Sequence, residues 1–285
     1  PADILMGMTF TLATVNVNGL RAAARKGMAD WLATTAADVI TLQEVRAPGE
    51  LLADLVGEDW TIVGEASELK GRNGVAIAAR TSLESIDLEG VRRGLPGLTE
   101  PTHTGRWLEA DLSLTGFDGL ERLTVISAYL HSGQLGTEKM DQKYAHLELV
   151  DTRMAELLAA ARDGGPQVVM AGDLNVVRSE RDIKNWKPNH NKIAGVMDEE
   201  IAHLEGWFAS GWVDASRHLV GDEEQGPYTW WSQRGKAFDN NAGWRIDYQV
   251  LTPALAERAH SVTVDRAPDY TSRWSDHAPL VVEYL

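Results

Sequence analysis

A carboxylate and a carboxamide stand one residue apart, at Asp173 and Asn175, just after the apolar run Val168 to Met170. A Gly-Gly-Pro turn precedes the run, which indicates a short strand buried on both faces of its sheet. Residues i and i+2 of an extended segment point to the same side, so both side chains would emerge together where ligands bind open α/β sheets. Gly172 would permit a turn or a close backbone approach there. The alternative is local: Asp173 caps the next turn and Asn175 bonds its own backbone.

Other predicted strand ends and turns carry polar residues of the same kinds. They are Asn16, Asn18, Glu44, Tyr129, Asp247, Asp276 and His277. Oxygen ligands and a single imidazole, without any thiolate, favour Mg²⁺ or Mn²⁺ over zinc. The set also suits phosphoester hydrolysis, in which a metal polarises a phosphoryl oxygen, an Asp activates water and an Asp-held His stabilises developing charge.

Composition limits the classes of protein. The chain has 285 residues and no Cys, which excludes disulfides and thiolate metal sites and fits a reducing cytoplasm. Neither a signal peptide nor an apolar run long enough for a membrane span is evident, so we expect a cytoplasmic monomer without a membrane partner.

The net charge of -15 argues against a polyanionic partner, but the charge is segregated. Basic residues dominate the segment 178–192, and smaller basic groups lie at 21–26, 70–72 and 92–93. Each group alone is better interpreted as a solvated face. Candidate contacts to the backbone of a polyanion are Arg21, Arg178, Arg181, Lys184 and Lys187.

The elements that must position these residues alternate between strand and helix. We predict helices over 22–35, 138–162 and 198–210, and a long loop over 92–105. Predicted strands cover 9–17, 38–42, 60–65, 74–80, 106–114, 122–130, 168–170, 228–231, 243–251, 259–265 and 280–284. Successive strands without intervening helices imply mixed or antiparallel sheets. We expect residues 1–8 to be a flexible lead-in and 9–285 to form a single domain.

Five motifs together resemble the exonuclease III family of class II abasic-site endonucleases. They are Asn16-Val-Asn-Gly-Leu-Arg21, Leu42-Gln-Glu44, Gly172-Asp-Leu-Asn175, Gly243-Trp-Arg-Ile-Asp247 and Ser275-Asp-His-Ala-Pro279. Each motif alone is weak, but the five occur in the right order at plausible spacing. The resemblance implies the endonuclease/exonuclease/phosphatase superfamily and a four-layered α/β sandwich, with two facing mixed sheets flanked by helices.

The resemblance also implies roles at matching positions. Glu44 corresponds to the principal metal ligand, with Asn18 and Asp276 close to the metal. Asp173 corresponds to the water-activating residue, Asn16 and Asn175 to phosphate- or water-positioning amides, and Tyr129 to a phosphate contact. His277 corresponds to a phosphate-facing histidine oriented by Asp247, and Trp230, Trp244 and Ile246 to the walls of an abasic-sugar pocket. Asn18 replaces an Asp of the mammalian enzymes, and Ser132 stands where many members carry an amide.

The function implied is a Mg²⁺-dependent nuclease that cuts duplex DNA 5′ to abasic sites, trims blocked 3′ ends and acts as a 3′-to-5′ exonuclease. One alternative is a phosphatase for a small phosphoester, which the aromatic pocket residues and basic loop oppose. Another is a DNA-binding module without catalysis, which the retained Glu44, Asp173, Asp247 and His277 oppose. Ile246 is nearly as well interpreted as a core residue.

Overall fold

The structure of this protein is a computed structural model that describes residues 9–83, 86–114 and 120–285. Its strands form where apolar residues alternate with polar ones or follow one another without interruption. The predicted lead-in at 1–8 lies outside the described residues. The strands are β1 (Phe10–Asn16), β2 (Val39–Gln43), β3 (Trp60–Glu65), β4 (Val75–Arg80), β5 (Ile86–Arg93), β6 (Trp107–Ser113), β7 (Arg122–Tyr129), β8 (Gln167–Asp173), β9 (Val213–Asp214), β10 (Asp247–Leu251), β11 (Ala259–Val264) and β12 (Leu280–Tyr284).

The α-helices connect or flank these strands. They are α1 (Leu20–Ala23), α2 (Ala29–Thr34), α3 (Leu52–Val56), α4 (Glu138–Arg162), α5 (Trp186–Asn189), α6 (Asp198–Ser210), α7 (Ala215–Val220) and α8 (Pro253–Ala256). The long helix α4 has a buried stripe that includes Met140, Leu147, Val150 and Met154, which is the spacing of one helical face.

Within the described residues, the strands form two six-stranded mixed sheets. Their orders are β11-β12-β1-β2-β4-β3 and β5-β6-β7-β8-β10-β9. The β1–β2 and β7–β8 pairs are parallel, and the other pairs are antiparallel. One hydrophobic core fills the space between the sheets. A second packs α4 and α6 against the outer face of one sheet, and a third packs α1 to α3 against the outer face of the other. The predicted four-layered α/β sandwich is confirmed.

Several local predictions were wrong. The helix expected over 22–35 is interrupted at Gly27, whose φ of 118° is not helical. The aromatic segment 228–231 makes only isolated bridges through Trp230, and the strand expected from Gly243 begins at Asp247. The predicted loop over 92–105 begins within β5, which the sequence pattern did not reveal.

Gly172 has the close approach that the sequence suggested. A Cβ at this position would collide with the carbonyl of Ala128 on β7. The absence of a side chain therefore lets β7 and β8 pair closely up to the residues that end them, Tyr129 and Asp173.

Candidate active site

Strand register brings the polar strand ends to one edge of the sandwich. Tyr129, the last residue of β7, pairs with Asp173, the last residue of β8. Asp247 begins the antiparallel strand β10 and pairs with Asp173 from the other side. In the facing sheet, Asn16 pairs with Gln43, so that Glu44 follows at the same edge.

The loop before β12 adds two more polar residues at this edge. Ser275 Oγ donates a hydrogen bond of 2.6 Å to the carbonyl of Asn16, and accepts one of 3.2 Å from the amide of His277. This small network fixes the loop against the end of β1, and it places Asp276 and His277 beside the strand ends.

A cavity of about 690 Å³ opens above these residues. It brings together nine of the residues predicted from the sequence, Glu44, Tyr129, Asp173, Asn175, Trp230, Trp244, Ile246, Asp276 and His277. Asp247 supports His277 from within the sheet, and both Asp247 and Asn16 are completely buried.

His277 lies between two carboxylates. Its Nδ1 is 2.8 Å from Asp247 Oδ2, and its Nε2 is 3.8 Å from Asp173 Oδ2. Burial lowers the pKa of His277, but the carboxylates of Asp247 and Asp173 outweigh burial and raise it to about 10. At neutral pH this side chain is therefore an imidazolium, held so that it can face an anion in the cavity.

Asp173 and Tyr129 are tuned in a complementary way. Burial raises the pKa of Asp173 to about 7, with the His277 cation opposing the shift and Asp247 adding to it. Burial and the nearby carboxylates of Glu44 and Asp173 raise the pKa of Tyr129 well above its usual value. Asp173 is consequently poised to exchange a proton near neutral pH, whereas Tyr129 remains a neutral hydrogen-bond donor.

The donors around Glu44 suit a hard cation. Asn16 Nδ2 lies 2.9 Å from Glu44 Oε1 and 2.9 Å from Asp173 Oδ2, so one buried amide holds both carboxylates. Asp276 receives a bond of 2.9 Å from Asn18 Nδ2 and one of 3.2 Å from Trp230 Nε1. One or two carboxylates open to a cavity, with room for water and phosphate oxygens, are what Mg²⁺ uses.

A second cluster of possible metal ligands, formed by two aspartates and a histidine, is less suitable for a metal. Asp173, Asp247 and His277 have potential ligand atoms within 4.8 Å of one another, and they are the one such group of three among the described residues. The imidazole between those carboxylates is already a cation, which disfavours another cation beside it.

Comparison with known proteins agrees with this geometry. A model of the Endonuclease/Exonuclease/phosphatase family matches residues 13–277. The chain belongs to that family.

Its relatives include nucleases of known structure and name. The chain is 32% identical over 270 residues to an exodeoxyribonuclease of Bacillus subtilis, covering 94% of this chain and 97% of the relative. An AP endonuclease structure from Archaeoglobus fulgidus matches with a TM-score of 0.79 at 27% identity, covering 96% of this chain and 99% of the other. A 3′ phosphatase from Neisseria, bound to a product DNA hairpin, matches with a TM-score of 0.75 at 27% identity, covering 97% and 99%. The resemblance to the exonuclease III family is confirmed.

The residues just beyond the strand ends are not extended, although the sequence analysis assumed that they are. Asn18, Glu44 and Asn175 have φ of 47°, 48° and 52°, so each lies in the left-handed region just beyond a strand end. Asn175 donates its side-chain amide to the Leu130 carbonyl, and its backbone amide to Asp173. The premise that i and i+2 share one side of an extended strand was therefore wrong, although Asn175 still lines the cavity.

The predicted backbone-binding residues separate into two groups. Arg178 forms ion pairs with Glu205, Asp214 and Asp222, and Arg181 pairs with Glu223.

The other three are exposed. For Lys184 and Lys187, the described chain supplies no carboxylate within ion-pair distance. Arg21 lines a groove that meets the cavity at Arg46 and also contains Lys70 and Arg72.

Sequence reasoning missed several functional candidates. Arg46, Lys192 and Ile193 line the cavity, and buried Lys143 lies behind it. A signal for Lys143 existed, since it falls three residues after Met140 and four before Leu147 on the buried face of α4. A charged residue in an apolar stripe needs a buried partner.

Proposed function

We propose that this protein is a Mg²⁺-dependent DNA repair nuclease that hydrolyses the phosphodiester 5′ to abasic sites. It would also remove blocking groups from 3′ ends and degrade DNA in the 3′-to-5′ direction. The observation that carries the proposal is the Asp173–His277–Asp247 arrangement at the floor of a cavity walled by Trp230 and Trp244.

The chain's own residues supply the proton chemistry and the anion site. Asp173, with its pKa raised to about 7, accepts a proton from the attacking water. The His277 imidazolium and the Tyr129 hydroxyl face the phosphate and stabilise the negative charge that develops on it. Asn175 lines the cavity and would position water or phosphate there, with its side-chain amide held by the Leu130 carbonyl.

We assign the metal to the Glu44 and Asp276 side of the cavity. Asn18 supports Asp276 through its amide, which an aspartate at this position could not do without a proton. Mg²⁺ bound there would polarise a phosphoryl oxygen and stabilise the leaving oxyanion, and Mn²⁺ would substitute.

The aromatic wall supports an abasic sugar as the group bound. Trp230 and Trp244 meet edge to face, with ring centroids 5.5 Å apart, and both are partly exposed. Ile246 is 5% exposed and packs with Val177 and Ile183, so it belongs to the core as well as to the cavity lining. An extruded sugar without a base needs less space and costs less to unstack than an intact nucleotide.

The basic surroundings favour a polymer over a small phosphoester. The groove of Arg21, Lys70 and Arg72 meets the cavity at Arg46, which pairs with Glu44, and the other three cations of this groove would follow a phosphate backbone. We place further backbone contacts at Lys184 and Lys187, and we assign Arg178 and Arg181 to holding their own loop.

The proposed setting is a cytoplasmic monomer acting on double-stranded DNA. A chain without Cys suits a reducing compartment. No helix in the part of the chain that the structure describes is long and apolar enough to cross a bilayer.

The test is incubation of the protein with a duplex that carries one abasic-site analogue and with the matched intact duplex. The proposal predicts a single cut 5′ to the lesion, dependent on Mg²⁺ and abolished by chelator. Release of phosphate from small esters without cleavage of the abasic duplex would contradict it.

A further inference from the structure

One fully buried ion pair lies directly behind the cavity. Lys143 on α4 and Glu200 on α6 form a salt bridge, and both side chains are 0% exposed. Neither residue lines the cavity, and neither belongs to the motifs that define the site. Removing two charges from water is costly, so a pair in this position requires an explanation beyond stability.

The lysine holds the loops that follow two central strands. Its Nζ donates to the carbonyl of Asn175 at 2.9 Å and to the carbonyl of Ser132 at 3.4 Å. Asn175 follows the end of β8 and Ser132 follows the end of β7, and both residues line the cavity. A single ammonium group therefore joins two cavity walls that are not adjacent in sequence.

The glutamate holds a third wall. Glu200 Oε2 accepts hydrogen bonds from the backbone amides of Gly195, at 2.6 Å, and Met197, at 3.1 Å. The residues immediately before Gly195 are Lys192 to Ala194, which also line the cavity.

The third wall fits tightly against the loop after β8 and the ring of Trp244. A Cβ added at Gly195, whose φ is 88°, would come within 2.8 Å of the Asn175 carbonyl and 3.2 Å of the Trp244 ring. Gly195 therefore lies in close contact with both Asn175 and Trp244. A small displacement of Gly195 would be transmitted to both.

We propose that Lys143 and Glu200 are positioning residues that lock three cavity walls in register: the loop after β7, the loop after β8 and the segment 192–197. The inference rests on the proposed nuclease function. The pair acts through Asn175, whose own amide is bonded to Asp173, and therefore sets where Asp173 lies relative to a bound phosphate.

The decisive variant is the double substitution Lys143→Met and Glu200→Leu. Apolar residues of similar volume commonly replace a buried ion pair without loss of stability. This pair also bonds backbone groups of all three walls, which the variant leaves unpaired, so we expect a folded protein with a lowered melting temperature. Because misplacement by about 1 Å can cost about 100-fold, kcat on the abasic duplex should fall by about that factor while KM changes little.

A matched control lies on the same helix. Arg153 on α4 bonds both oxygens of Glu109, each at 2.8 Å, and the Glu109 side chain is 2% exposed. Arg153 does not line the cavity. Arg153→Met should therefore lower the melting temperature and leave kcat unchanged. An equal loss of kcat in this control would overturn the proposal, because the effect would then belong to α4 in general.

Glu200→Gln keeps the test decisive if the double variant does not fold. Glutamine is nearly isosteric and retains an oxygen for Gly195 and Met197, but it releases Lys143. We expect a smaller loss of kcat than in the double variant, again without a change in KM. Wild-type kcat in either folded variant would overturn the positioning role. A wild-type protein that leaves the abasic duplex intact would instead refute the proposed function.

Discussion

Two buried clusters that contain histidine lie on either side of the end of β7, and the histidine is charged in one and neutral in the other. In the cavity, His277 lies between Asp247 and Asp173, and its pKa is raised to about 10. Behind Tyr129, His131 hydrogen-bonds His103 over 2.8 Å, and both rings pack against His146.

Burial lowers the pKa of all three histidines of this second cluster, and the nearby Arg106 guanidinium lowers it further. The difference teaches that burial alone does not determine the charge of a histidine. Burial lowers the pKa in both clusters, but only His277 has carboxylates that reverse the effect. Histidine is thus a cation that faces the cavity in one cluster, and a neutral ring that packs behind the cavity in the other.

The largest expected effect comes from removing the cationic histidine. His277→Ala should lower kcat by about 10²–10⁴-fold, because it removes the charge that we propose stabilises the transition state. Duplex binding should persist, since His277 is one of many contacts. Single-turnover cleavage and binding anisotropy on the same abasic duplex measure the two effects. The comparison predicts that His146→Leu, in the neutral cluster, keeps nearly full kcat; equal losses in the two variants would break it.

A smaller effect is expected when the cation is kept but loses a carboxylate. In Asp247→Asn the attraction that raises the pKa of His277 is weakened, so this pKa falls. If the imidazolium is the active form, the kcat of the variant relative to that of the wild type should fall as pH rises from about 6 to 9. At the acidic end the loss should be milder than in His277→Ala. Parallel kcat profiles for wild type and Asp247→Asn would remove the electrostatic role assigned to Asp247.

The neutral cluster was invisible to the sequence analysis for a physical reason. His103, His131 and His146 come from three separate segments, and only tertiary packing brings them together. Glu44, Tyr129 and Asp173 were predictable because they stand at the ends of apolar runs, and the ends of paired strands must meet at one edge. Local patterns therefore predicted the strands that end at the cavity and their mixed sheets, whereas the four layers and the roles of the residues were implied by the family resemblance.

Patterns could not predict features that depend on a distant partner or an unusual backbone. The break at Gly27 and the left-handed Glu44 and Asn175 are set by loop geometry that periodicity does not record. Patterns also could not predict which basic side chains are free to bind a ligand. Arg178 and Lys184 belong to the same basic segment, but of these two only Arg178 forms ion pairs with carboxylates.

The next effect concerns stability below neutral pH. The pKa of His146 is lowered well below 6.5, and neither of its ring nitrogens has a hydrogen-bond partner among the described residues. The unfolded chain binds a proton at His146 near pH 6.5 and the folded chain does not. Its contribution to the free energy of unfolding is thus complete above pH 6.5 and is lost as pH falls below it, by about 1.4 kcal/mol per pH unit.

His146→Leu should remove this loss and flatten the decline of the melting temperature between about pH 6.5 and pH 5.5. The exposed His218 provides the control, because His218→Gln should leave the decline unchanged. A decline as steep in His146→Leu as in the wild type would show that His146 is not neutral in the folded protein.

The smallest effect extends the comparison to surface charges, whose availability again depends on their partners. Replacing Lys184 and Lys187 together by Ala should lower the slope of log binding constant against log salt by about 1.8, since each phosphate contact contributes about 0.9. Arg178→Ala should change the slope little, because Arg178 already pairs with Glu205 and Asp214. A lowered slope in Arg178→Ala, with an unchanged slope in the double lysine variant, would place the DNA contact on Arg178.

The most direct test of the central claim is an NMR titration of the histidine side chains, with assignments from His277→Ala and His146→Leu. The account predicts that His277 remains an imidazolium up to at least about pH 8, while His131 and His146 stay neutral at pH values where a solvent-exposed histidine is protonated. A neutral His277 at pH 7, or titration of His146 near pH 6.5, would contradict the claim that neighbouring charges assign these two clusters their different roles.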